Sequence, residues 1–149
     1  MVEVYNAMSS NGNFMKHIFH WCLFVFLVGA GYAGNAQNEV ISGAKGALKG
    51  GSSSDLAKYF NNTIELIIES DNVEFDKVSN TQAELVLRTF FQKNPAKDFN
   101  YVHQGSSPEG LQYSTGTYQA TTGSFQVYML VKQFSGKYFI SKIQIFDKE

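Results

Sequence analysis

Cysteine is the scarcest reactive residue in this chain, and its scarcity excludes a disulfide framework. The single cysteine, Cys22, falls inside an apolar run near the N-terminus, and residues 37–149 hold none. Stability there must come from packing, and a thiolate zinc site cannot be built. Histidine is nearly as sparse: His103 is the one imidazole beyond that run, so a metal centre of the usual type is not expected. No hydrophobic stretch approaches the roughly 20 residues that a membrane-spanning helix requires. Charge of one sign is lacking too. Twelve Lys and Arg face 13 Asp and Glu, for a net charge of −1, without a basic cluster, which argues against nucleic acid or an anionic membrane as the partner. The sequence has no Gly-x-Ser-x-Gly, no phosphate loop and no dinucleotide fingerprint, and no cofactor is expected.

What is present begins with a leader. Lys16 supplies a short positive region, Ile18 to Val28 is almost unbroken apolar sequence, and small residues then offer cleavage after Ala33 or Ala36. This is the layout of a secretory signal. The segment upstream of Met15 is polar and unlike a signal start, so translation is expected to begin at Met15, or else at Met8. Cys22 lacks the Leu-small-small neighbours of a lipoprotein signal and would leave with the leader. Residues 1–36 are thus read as an export leader and 37–149 as one domain, periplasmic or secreted, with no membrane span after cleavage.

In the remaining chain Asn38 can cap a helix whose Val40, Ile41, Ala44, Ala47 and Leu48 recur at helical spacing. Gly50 and Gly51 end it, and Ser54 or Asp55 starts a short second helix. Thr63 to Glu69 alternates apolar and polar residues and, through an Asp71-Asn72 turn into Val73 to Phe75, reads as a hairpin. Glu65, Glu69, Asp71, Glu74 and Asp76 give that hairpin a solvated acidic edge rather than a calcium loop. Ser79 or Asn80 caps the clearest helix, in which Ala83, Val86, Leu87 and Phe90 form one stripe with Phe91 beside it. Pro95 forces the chain out. Four strands follow, Phe99 to Gln104, Gln112 to Ala120, Phe125 to Phe134 and Tyr138 to Phe146, and the short turns between them imply an antiparallel meander. Helices, hairpin, helix and meander make an α+β layout with helices on one face of a mostly antiparallel sheet.

The stretch Gln82 to Phe91, the Asn94-Pro95 pair, Phe99 and the run from Val102 to Tyr118 resemble a family of small secreted envelope domains from Gram-negative bacteria, designated only as a domain of unknown function. Asn94 abuts Pro95 where the family has one residue between them, Thr115 stands where Ile is usual, and Gln126 where Arg is frequent. The resemblance covers essentially all of residues 37–149. It implies membership of the nuclear transport factor 2-like, or cystatin-like, superfamily, whose cone-shaped fold bends a sheet around a long helix and often leaves a pocket between them. The superfamily hosts isomerases, dehydratases and transport factors alike, so the fold by itself assigns no activity.

Candidate site residues follow from the strands. Phe99, Tyr101 and His103 are expected on one sheet face, and with Phe91, Tyr113 and Tyr128 they could line an aromatic pocket for a small apolar or amphipathic ligand. This favours a non-catalytic binding module, with a small ligand or an envelope protein as partner. An alternative is a small isomerase- or dehydratase-like enzyme in which His103 moves the proton and Tyr113 polarises a carbonyl. A third is a homodimer. Tyr118 and Tyr128 could lie together on a broad sheet face, and Phe125 to Phe134 is apolar on both sides, so that strand is expected to be covered twice.

Overall fold

The structure, a computed structural model, describes residues 36–148. The expected leader, apart from Ala36, lies outside the described residues. The first described helix, α1, runs through residues 36–50. Asn38 is therefore inside it and exposed rather than its cap. Val40, Ala44, Ala47 and Leu48 are buried, while Ile41 is half-buried at the flank of the stripe. Gly51 ends the helix at φ +62°. Its N–H donates to Leu48 O and that of Ser52 to Ala47 O, a paired closure that needs the left-handed conformation glycine adopts without strain. Ser52, not Ser54 or Asp55, then caps α2 (Ser53–Ala57), its hydroxyl accepting from Asp55 N.

Strands β1 (Phe60–Ile68) and β2 (Val73–Ser79) form the expected hairpin, joined by a 3-10 turn and by Asn72 at φ 54°. Helix α3 (Asn80–Lys93) is capped by Ser79, which accepts from Gln82 N. Its buried residues are Ala83, Leu87, Phe90 and Phe91, so the stripe sits slightly toward Phe91 and leaves Val86 at its margin. Strands β3 (Ala96–Ser106), β4 (Gln112–Ala120), β5 (Ser124–Phe134) and β6 (Lys137–Asp147) complete the meander. The six strands lie in the order β2-β1-β6-β5-β4-β3. All pairs are antiparallel except β1 with β6, which makes a mixed, curved sheet. Because β2 and β3 occupy opposite edges, α3 must carry the chain from one side of the sheet to the other.

One sheet face is the core. Ile64, Leu66 and Ile68 of β1 lie alongside Ile143 and Ile145 of β6, then Phe125, Val127, Met129 and Val131 of β5, then Tyr118 of β4, all buried. The helices cover this inner face. The outer face carries Ile67, Tyr128 and Leu130, half-exposed, and the pair Glu65–Lys142 at 2.7 Å. Strand β5 is thus covered on one side only among the described residues. Tyr118 and Tyr128 do not share a face: Tyr118 pairs with Phe125 inside, and Tyr128 pairs with Thr115 outside, because an odd separation along a strand reverses the side.

Candidate functional site

The inner face is filled by its own aromatic side chains where an aromatic pocket was expected. Phe90 of α3 stands edge-on to Phe125 at 5.1 Å and to Phe91 at 5.7 Å, and Tyr118 closes on Phe91 at 5.6 Å. Centroid spacings of this size are those of favourable aromatic pairs. Phe99 is wholly buried and edge-on to Tyr101 at 5.1 Å. Phe91 and Phe99 are therefore core residues. The Tyr118 hydroxyl donates to Asn94 O at 2.7 Å, and Thr122 Oγ1 donates to Asn94 Oδ1 at 2.6 Å. The Asn94-Pro95 corner is thus pinned to the β4–β5 end of the sheet. Burial pushes the Tyr118 phenol up to about 12, since the interior disfavours phenolate.

His103 does not share a face with Phe99 and Tyr101. In the β3–β4 register Tyr101 stands opposite Gly116 and His103 opposite Thr115. Two residues of β3 therefore span one step of β4, a β-bulge at Val102 that turns every later side chain to the other side. Val102 itself is 73% exposed. Past the bulge His103 and Gly105 share the outer face with Tyr113, and Gln104 comes inward opposite Ser114. The rings of His103 and Tyr113 lie 5.8 Å apart and inclined by 34°. The Tyr113 ring also crosses Gly105 so closely that a Cβ there would collide with it. Tyr128, on the outer face of β5 opposite Thr115, joins neither group. The six expected residues thus divide among the core, the outer face and one further place.

That place is a cleft of about 210 Å³ at the turn end of the β3–β4 hairpin. Asn38 and Ile41 of α1 form one wall, Gln104, Gly105 and Ser106 of β3 another, and Gln112 and Tyr113 of β4 the third. Tyr113 is the one expected site residue among them. The walls are tied together. The Tyr101 hydroxyl donates to Ile41 O at 2.7 Å, and Gln112 Nε2 donates to Gln37 Oε1 at 2.9 Å. Burial raises the Tyr101 phenol well above its ordinary value, opposed slightly by the nearby Ser114 hydroxyl. No hydrogen bond forms between the two: Tyr101 donates to Ile41, and Ser114 Oγ, 1% exposed, has no protein partner at bonding geometry.

Sequence reasoning missed Asn38, Ile41, Gln104, Gly105, Ser106 and Gln112. The signal for four of them was the pair of glutamines flanking the turn-rich Gly105 to Gly110 segment. Asn38 was misassigned as a cap because asparagine is a common one. The lining side chains offer three carboxamides and the Ser106 hydroxyl, groups that bind and orient but do not form an acid–base pair. Among the described residues no three His, Cys, Asp or Glu stand where they could hold a metal ion.

The sequence pattern of a domain of unknown function (DUF4783) matches residues 41–145. The crystal structure of a DUF4783 family protein from Bacteroides ovatus is similar over 72% of this chain and 94% of that one, at 31% identity and a TM-score of 0.66. A nuclear transport factor 2-like protein of unknown function from Shewanella baltica is similar over 77% of this chain and 93% of its own, at 14% identity and a TM-score of 0.58. A domain of unknown function with a cystatin-like fold from Nostoc punctiforme covers 79% of this chain and 78% of its own, at 11% identity and a TM-score of 0.60. These last two likenesses concern the fold alone. No curated protein matches the chain.

Proposed function

The chain belongs to the DUF4783 family, a domain of unknown function with a nuclear transport factor 2-like fold, and on that premise we propose that it is an exported, non-catalytic binding module whose small ligand sits between α1 and the β3–β4 hairpin. The observation that carries this reading is the cleft of about 210 Å³, whose walls are held by the Tyr101–Ile41 and Gln112–Gln37 bonds. Preorganised walls reduce the ordering cost of binding. Binding rather than catalysis is favoured because His103 is exposed on the outer face and is not one of the lining residues. Export is supported by the leader around Ile18 to Val28.

An NMR titration with a library of small fragments tests the site. Saturable shifts at the backbone amides of residues 104–106 and 112–113 are expected, and fragments that bind only elsewhere would remove the cleft from the proposal. A second reading, a homodimer through the outer sheet face, rests on the half-exposed Ile67, Tyr128 and Leu130. Light scattering at micromolar concentration decides it, because a monomer at every concentration is incompatible with a stable pair.

A further inference from the structure

We infer that the cleft recognises a neutral, polyhydroxylated ring, the chemistry of a sugar, an inference that deepens the binding reading above and rests on it. Two properties of the lining carry it. The first is charge: none of the side chains is Asp, Glu, Lys, Arg or His. A carboxylate or phosphate lodged here would shed water without meeting a counter-charge, which is unfavourable. The second is polarity. Asn38, Gln104 and Gln112 place three carboxamides around the opening and Ser106 adds a hydroxyl, while Ile41 is the only aliphatic side chain. An alkyl ligand would cover these groups and leave them unpaired. A carboxamide offers an acceptor oxygen and a donor nitrogen side by side, which suits neighbouring hydroxyl groups that each donate and accept.

One further feature fits the same ligand. The Gln112 side chain is oriented by its bond to Gln37, so its position is set before a ligand arrives. The volume, about 210 Å³, is below the roughly 300 Å³ at which pockets for drug-sized molecules begin, and suits one ring or the terminal ring of a chain.

The test is an NMR titration of the protein with glucose, galactose, mannose and N-acetylglucosamine, beside glucuronate as the anionic counterpart and 1-hexanol as the aliphatic one. At least one neutral sugar is expected to shift the amides of residues 104–106 and 112–113 saturably, with glucuronate binding at least tenfold more weakly. Gln104→Leu and Asn38→Leu, both at exposed positions, should each weaken the sugar at least tenfold while the remaining spectrum stays that of the folded protein. Glucuronate binding as well as the neutral sugars, or hexanol alone shifting these amides, overturns the ligand class and leaves the cleft standing as a binding site. Silence from every sugar overturns the ligand class as well, whereas the site itself stands or falls on the fragment titration described above.

Discussion

Replacing Phe90 by Ala should be among the most damaging single changes in this protein. The ring is 1% exposed and packed against Phe91, Tyr118 and Phe125 at 5.7, 5.8 and 5.1 Å. Truncation removes the ring's transfer energy and opens a void among side chains from α3, β4 and β5. Those neighbours are themselves fixed: Tyr118 by its bond to Asn94 O, and Phe91 by its place on the same helix. The site can collapse only partly, so the cost should fall in the range of about 3 to 5 kcal/mol for buried aromatic truncations. A typical domain has about 5 to 15 kcal/mol in total. With a urea m-value of about 1.5 kcal/mol/M, the unfolding midpoint should fall by between about 2 and 3 M. Arg88→Ala on the same helix is the control. Its side chain is 50% exposed and pairs with Glu84 at 2.6 Å, an i,i+4 contact worth about 0.3 to 0.5 kcal/mol. Parallel urea melts followed by circular dichroism compare the two, and midpoints within about 0.3 M of each other would mean that α3 does not present Phe90 to the sheet.

Tyr118→Phe keeps the ring but removes the hydroxyl that donates to Asn94 O; it should cost about 1 to 2 kcal/mol in the same melts, and an unchanged midpoint would mean that the corner at Pro95 does not depend on this bond. The fold favours the protonated phenols of Tyr101 and Tyr118, both raised above the ordinary 10.0, so this contribution is complete below the unfolded pKa and is lost as pH climbs from 10.0 through about 12 for Tyr118. Urea midpoints should therefore decline between about pH 10 and pH 12, and more shallowly in Tyr118→Phe than in the parent; equal slopes would separate Tyr118 from the effect. Gly105→Ala should displace the Tyr113 ring, because the new Cβ meets it. The far end of a tyrosine can swing aside, so the stability cost should stay within about 1 kcal/mol, while proton contacts between the His103 and Tyr113 rings should disappear from NMR spectra. Residues 1–36 fused to an exported reporter enzyme lacking its own signal should deliver its activity to the periplasm, and retention in the cytoplasm would defeat the leader assignment.

Sequence alone determined the parts of this protein that depend on neighbours along the chain. The stripe of α3, the Gly51 stop, the bounds of β4 at Gln112 and Ala120, and the turns between the last strands could be read from period, caps and breakers, because a helix or strand buries the side chains its own repeat brings to one side. The likeness around Gln82 to Tyr118 pointed to the family as well. Tertiary structure decided what depends on residues far apart. Nothing within Phe60–Ile68 announces that β1 will run parallel to β6. Nothing in Phe99 to His103 marks the bulge at Val102, since alternation looks regular until the partner strand fixes the register, and a single extra residue then moved His103 out and Gln104 in. Whether the aromatics would line a pocket or fill it was likewise undetermined, because Phe90, Phe99, Tyr118 and Phe125 are apolar in either role and only the approach of α3 to the sheet brings them into contact. The cleft belongs to the same class: its polar walls come from a helix and a hairpin far apart in the chain, joined where Tyr101 reaches Ile41, 60 residues away, and a local pattern carries no information about that meeting.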